Sequence, residues 1–217
     1  MGFRFVIFIV GIIFGIVGKA QILNTEKFRL NKDLSNRWLG STEFGLKTKK
    51  QKSSVLTLSS KINIAYLTDH HSAMFLANLN LVKVADAKVI SEGYGHLRFN
   101  IFRKKTWSFE QFNQWQFDQG RGMNSRKLIG GNIRLSLKST KKWELAVLTG
   151  AMFENEIWDS GDGFEVESSL VKSTSNLTLR YNFNSLFSFM MISYYQAKFN
   201  DFLRPRIIGD ASFLFHL

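Results

Sequence analysis

Four histidines and a few clustered acids are the residues of this chain whose types could do chemistry. A histidine within reach of a carboxylate or hydroxyl can act as a general base. His70 and His71 follow Asp69, but this group lies in a predicted turn at the end of the fold where both chain ends gather, and His216 sits at the same end. His96 alone falls within a predicted strand, among arginine and glutamate, where a histidine serves as a hydrogen-bonded filler more readily than as a base. Asp159-Ser160-Gly161-Asp162, with Glu165 and Glu167, offers oxygen ligands of the kind calcium takes, yet lacks the full twelve-residue loop pattern and reads as a solvated acidic loop. The chain has no Cys, which excludes thiolate chemistry, disulfides and a lipid anchor on an N-terminal cysteine. No phosphate-cradling glycine loop or nucleophile elbow is present. No catalytic residue, metal or cofactor is assigned, and the chain is read as a non-enzyme.

The elements that hold these residues follow a two-residue beat. In Val55–Tyr66, Leu56, Leu58, Ile62, Ile64 and Tyr66 share one face of a strand, while Val55, Thr57, Ser59, Lys61, Asn63 and Ala65 share the other. Leu97, Phe99 and Ile101 oppose His96, Arg98 and Asn100; Ile129, Ile133, Leu135 and Leu137 oppose Asn132, Arg134 and Ser136; Leu177, Leu179 and Tyr181 oppose Asn176, Thr178 and Arg180. The stretch 73–81 is apolar on one face and mixed on the other, and the start of 186–198 is apolar on both, so its facing stays open. The pattern predicts strands at 36–48, 54–67, 72–85, 92–103, 107–119, 126–138, 143–156, 167–183, 187–200 and 205–217. Each is long enough to cross a bilayer, which takes about 9–11 tilted residues. An even number returns both ends of the set to one side, as in single-chain bacterial barrels. Links at 68–71, 103–106, 139–142 and 184–185 are tight, and longer links are expected between them, the longest at about 155–166.

Arg4, an apolar run from Phe5 to Val17, and Gly18-Lys19-Ala20 have the charge, length and small-residue end of a cleavable export signal. This divides the chain into a signal at 1–20, an N-terminal segment at 21–35 and a barrel at 36–217. The middle segment has no strand pattern and is either a periplasmic tail or a plug inside the barrel. Losing Arg4 and Lys19 lowers the formal charge from +12 by two, to +10. An exported basic chain will rarely meet nucleic acid; acidic lipid headgroups or sugars are the expected partners, with much of the charge simply coating turns such as 138–142.

The fold class expected is all-β: a closed antiparallel transmembrane barrel of about ten strands in a bacterial outer membrane. Its apolar set must then face lipid and its polar set face inward, because closure satisfies every backbone group at membrane depth. Lys61, His96, Arg98, Glu110, Gln114, Gln116, Asn132, Arg134, Glu144 and Arg180 are the expected lumen residues. Arg98 falls across from about Glu110 as a cross-strand ion pair. Tyr66, Trp107, Trp143, Phe183 and Phe187 flank the tight turns and would form an interfacial aromatic girdle. Phe213, Phe215 and Leu217 end the chain in an aromatic strand of the kind read by the outer-membrane insertion machinery.

Four stretches carry a resemblance: 20–27 (AQILNTEK), 93–100 (GYGHLRFN), 109–117 (FEQFNQWQF) and 126–135 (RKLIGGNIRL). They resemble outer-membrane barrels of the domain-of-unknown-function 481 family, related to salt-induced outer-membrane proteins, in the form common among Bacteroidetes. The resemblance covers most of the mature chain, is clearest over 93–153, and implies an outer-membrane barrel with no settled activity. The function expected is a monomeric barrel of structural or narrow-channel, porin-like type, in contact with outer-membrane lipid and lipopolysaccharide. The alternatives are an outer-membrane enzyme acting on lipid or peptide, and a soluble periplasmic barrel with an apolar cup.

Overall fold

The computed structural model describes Phe28 and residues 34–50, 52–85 and 87–215. The expected signal at 1–20, most of the segment at 21–35, and His216 and Leu217 lie outside the described residues. The chain is all-β, with ten strands: β1 (Arg37–Lys50), β2 (Ser54–Leu67), β3 (His71–Val84), β4 (Ala87–Ile101), β5 (Trp107–Asp118), β6 (Met123–Ser139), β7 (Trp143–Asp159), β8 (Glu165–Asn182), β9 (Phe187–Lys198) and β10 (Asp201–Phe215). They form one sheet in sequence order, every neighbouring pair antiparallel. A short 3-10 turn at Gln119–Arg121 joins β5 to β6 and ends on Gly122 at φ 77°, a left-handed position that suits glycine.

The expected alternation of tight and long links is corrected. All links are short, at 51–53, 68–70, 85–86, 102–106, 119–122, 140–142, 160–164, 183–186 and 199–200. The strands consume the expected loops because hairpin pairing continues outward. Asp159 still pairs with Glu165, so the link expected over 155–166 shrinks to the turn at 160–164. In that turn Ser160 donates to the Phe164 carbonyl and the Gly161 amide donates to Asp159 Oδ1.

The sheet curls around its own side chains. Neighbouring strands lie about 4.8 Å apart, so β10 and β7 would be far apart on a flat sheet. Instead Arg206 on β10 reaches Glu154 on β7 at 3.1 Å. The expected closure is also corrected: among the described residues no ladder joins β1 to β10. Near that seam the inner faces of β1 and β2 carry Ser41, Glu43, Lys47 and Ser59, all exposed, while Ala65 and Leu67 further along β2 are buried. The register of β10 on β9 shifts between Asp201 and Arg206, spanning Pro205; an edge strand tolerates proline because one side of its ladder is unpaired.

The interior is not uniformly polar. Ala65, Met74 and Leu76 form an inner apolar cluster with Phe28 and Tyr94 against it, and Met190, Ile192 and Tyr194 form a second. Phe28 thus packs against the inner wall, as a plug would. Arg103 ties the same segment to the tight-turn end, donating to the carbonyls of Leu34 (2.8 Å) and Thr68 (3.0 Å).

One glycine is dictated by close approach: a Cβ on Gly150 would stand 2.0 Å from the Gly131 carbonyl oxygen of the paired strand. Gly150→Val therefore forces β6 and β7 apart and should destabilise the fold by about 1–3 kcal/mol. Equilibrium urea unfolding followed by tryptophan fluorescence checks this, and an unchanged midpoint would contradict the packing described.

Candidate functional site

The inward residues of β6, β7, β8 and β10 meet in a charged cluster. Glu154, 1% exposed, receives Arg126 from β6, Lys172 from β8 and Arg206 from β10. Glu156 sits one inward step along β7, forms an ion pair with Arg126 Nε at 3.0 Å, and accepts from Arg206 Nη1 at 3.2 Å and the Trp158 indole at 3.2 Å. Two carboxylates bound by three cations form a network in which each charge has a partner. That is the condition under which charges tolerate burial.

A second set lies across β4, β5 and β6. Arg98 faces Glu110 at 3.7 Å, as the hairpin spacing predicts, and Asn100 donates to Glu110 at 3.1 Å. His96 Nδ1 is 3.0 Å from Gln114 Oε1, and Gln114 donates on to Gln116 at 2.5 Å. The His96 ring stacks on Phe112 at 6.0 Å. A neutral amide and an aromatic face orient this ring. Towards the tight-turn end, Glu144 bridges Arg134 and Arg180, both at 3.5 Å.

Each expected lumen residue can now be located. His96, Arg98, Glu110, Gln114, Gln116, Asn132 and Arg134 are buried on the inner face. Glu144 and Arg180 are inward but partly exposed, and Lys61 pairs with Glu43 at 4.0 Å near the open seam. The principal ion cluster was only partly anticipated: Glu154 and Lys172 stand on the polar face of the sequence pattern, but Arg126, Glu156 and Arg206 were missed. Stepping back by twos from Arg134 through Asn132 reaches Arg126, so the signal was present. Arg206 is hidden by the irregular register beside Pro205.

The outer face is the reverse. Ile133 is 50% exposed, Phe153 43% and Leu177 37%, and Trp107, Trp115, Ile129, Leu135 and Val171 are also exposed. At the tight-turn end the aromatic rings form a connected chain. Trp143 meets Tyr181 (4.3 Å), Tyr181 meets Phe183 (4.6 Å), Phe183 meets Phe187 (4.6 Å) and Phe187 meets Phe215 (4.9 Å). Tyr66 pairs with Trp38, and Trp107 with Phe102 and Phe109. Lys138 lies over Trp143 at 5.4 Å and Lys142 over Tyr181 at 5.3 Å. Of the rings expected at this end, Trp143, Phe183 and half-buried Phe187 are brought together with Phe213 and Phe215, whereas Tyr66 and Trp107 belong to separate ring groups.

A cavity of about 50 Å³ is bounded by β4 to β9, with His96, Arg98, Glu110, Asn132, Asn176 and Gln196 in its lining. Its volume suits water, and the buried oxygens Asn132 Oδ1, Asn176 Oδ1 and Gln196 Oε1 have no hydrogen-bond partner among the described residues. Of the acids weighed for chemistry, Asp69, Glu165 and Glu167 are engaged in side-chain bonds. Asp69 pairs with Lys104 at 2.6 Å, and that bond, with others from Ser35 and Asn36, holds its carboxyl below the usual aspartate value. Glu165 accepts from Asn124 and Glu167 from Asn155. Among the described residues no group of three His, Cys, Asp or Glu is placed to hold a metal ion. No family model, curated protein or solved structure matches this chain.

Removing the shared anion leaves Arg126, Lys172 and Arg206 facing one another. Glu154→Gln should therefore cost about 3–5 kcal/mol, whereas Glu144→Gln, nearer solvent, should cost about 1–2 kcal/mol. Urea unfolding of both variants tests the ranking; equal losses would remove Glu154 from its central position.

Proposed function

We propose that this chain is an integral outer-membrane β-barrel with a structural role, its lumen filled by ion pairs, apolar clusters and Phe28. The observation that carries this reading is the inversion of a soluble core: Arg126 and Glu154 are buried while Ile133, Phe153 and Leu177 face outward. A soluble ligand-binding barrel calls for the opposite arrangement. The ringed aromatics with lysines above them suit a headgroup zone, where amphipathic rings and cations are favoured. Strand length also fits. The shortest strands have 12 residues, and at a tilt of about 40° these rise about 30 Å, enough for an apolar band of about 25 Å. The small inner cavity favours a filled barrel over an open porin-like channel. On this reading the 1–20 signal directs export, the C-terminal aromatic strand serves the insertion machinery, and the likeness to the domain-of-unknown-function 481 family describes kinship.

In a bilayer an open sheet edge is not viable, so the reading requires β1 and β10 to pair. Their even count makes them antiparallel. Following the pairing perpendicular to the strands from Arg37, the inner row runs Leu67, Ser72, Asn100, Glu110, Asn132, Gly150, Thr174, Gln196 and arrives at Arg206. Ten strands tilted by about 35–45° require a closing stagger of about 10–14 residues. Arg206 then meets β1 near Lys47 or Lys49, which places outward Phe44 beside Gly209 or Ala211.

Three measurements test the proposal. Protein from an outer-membrane fraction should migrate faster on a denaturing gel unboiled than boiled; identical migration would sink the barrel. Folded protein in a planar bilayer should carry no steady current, and steps of conductance would replace the filled lumen with a pore. In this cysteine-free chain, Phe44→Cys should form an intramolecular disulfide with Ala211→Cys or Gly209→Cys but not with Asp210→Cys, which faces inward. Bonding only between two chains would show that the edges pair across copies.

A further inference from the structure

The outward face carries a depression over β3 to β7. A Cβ on Gly95 would meet nothing within 4 Å, and the space beside it measures about 610 Å³. It follows one register row across β3 to β7: Phe75, Leu97, Asn113, Ile129 and Phe153. The next row holds Gly95, Trp115, Lys127 and Asn155.

Two polar groups in this setting lack side-chain partners among the described residues. Asn113 lies half-buried between Leu97 and Ile129 and makes no side-chain hydrogen bond to a described residue. A polar group facing hydrocarbon is costly unless something bonds to it, and marks a site by default. Lys127 is exposed at the rim, and no described carboxylate pairs with it. Beside it the Trp115 indole donates to Ser125 at 3.2 Å and the Asn155 amide donates to Glu167 at 2.6 Å.

We propose that this depression holds one acyl chain of a phosphorylated glycolipid, with the phosphate on Lys127 and the amide or hydroxyl at the head of the chain on Asn113. The inference rests on the barrel reading above. Apolar walls suit the chain, and a free ammonium suits a phosphate as a point charge. An asparagine amide both donates and accepts, which complements a hydroxyl or amide; the ester of a glycerophospholipid only accepts. Lys127 lies towards the end of β6 away from the aromatic girdle and from the start of β1 and the finish of β10; with both ends of an even-stranded barrel in the periplasm, the site opens to the outer leaflet.

The test uses the full chain folded in detergent, incubated with lipid A, dephosphorylated lipid A or phosphatidylglycerol and read by native mass spectrometry. One lipid A should be retained about tenfold more strongly than phosphatidylglycerol. Gly95→Leu, which fills open space, should lower that retention about tenfold. Lys127→Gln should erase the preference for the phosphorylated glycolipid over its dephosphorylated form, and Asn113→Leu should narrow the margin over phosphatidylglycerol. Unchanged retention in Gly95→Leu, or equal retention of all three lipids by the parent protein, overturns the site, as does a dimer that Gly95→Leu disrupts in place of lipid. Heat-modifiable migration of the same samples separates the two readings. If it is kept without lipid retention, only this site fails; if the parent protein lacks it, the barrel fails.

Discussion

Everything in this fold depends on the phase of its alternation. Side chains two apart share a face, so a slip of one residue in any ladder would send arginines and glutamates outward and leucines inward. The inner charges make such a slip costly. Glu154 meets cations from three other strands, and those strands hold Arg126, Lys172 and Arg206 at the contact only in the observed registers. The ion cluster thus acts as a register lock spanning β6 to β10. Its worth lies in specificity more than net stability, since desolvation offsets much of the attraction between buried charges.

The interior has two characters. Across β4 to β8 ion pairs and amide chains cross-link the inner face, with Leu128, Leu148 and Met152 set among them. Apolar clusters lie on β2 and β3, where Phe28 and Tyr94 pack, and on β9 around Ile192. Between β4 and β9 both kinds of surface line a cavity of about 50 Å³. The reversal of core and surface is therefore not a simple exchange of oil for water. The outer face is mostly apolar, with Asn113 and Lys127 among its polar exceptions, while the inner face is whatever packs.

Much of this was legible in the amino-acid order. Strands β2, β3 and β5 fall within a residue of their expected limits because the turn residues that flank them are unambiguous. The Arg98–Glu110 pairing follows from a short hairpin and nothing else. Links were misjudged because the polar ends of β7 and β8, such as Asn155, Ser169 and Glu167, look like loop while being paired strand. Where both faces of a segment are apolar, as in β9, periodicity carries no orientation, and Ile192 and Tyr194 became inner residues only once their neighbours were placed. The seam between β1 and β10 was beyond reach for another reason: it concerns the two most distant strands of the chain, and no local pattern records whether they touch.

The position of Phe28 ties the leading part of the chain to the wall it meets. Its ring rests on Ala65, Met74 and Leu76, three apolar side chains that turn inward from β2 and β3. Wall and ring hide one another from water, so the fold has a keystone that no ladder records.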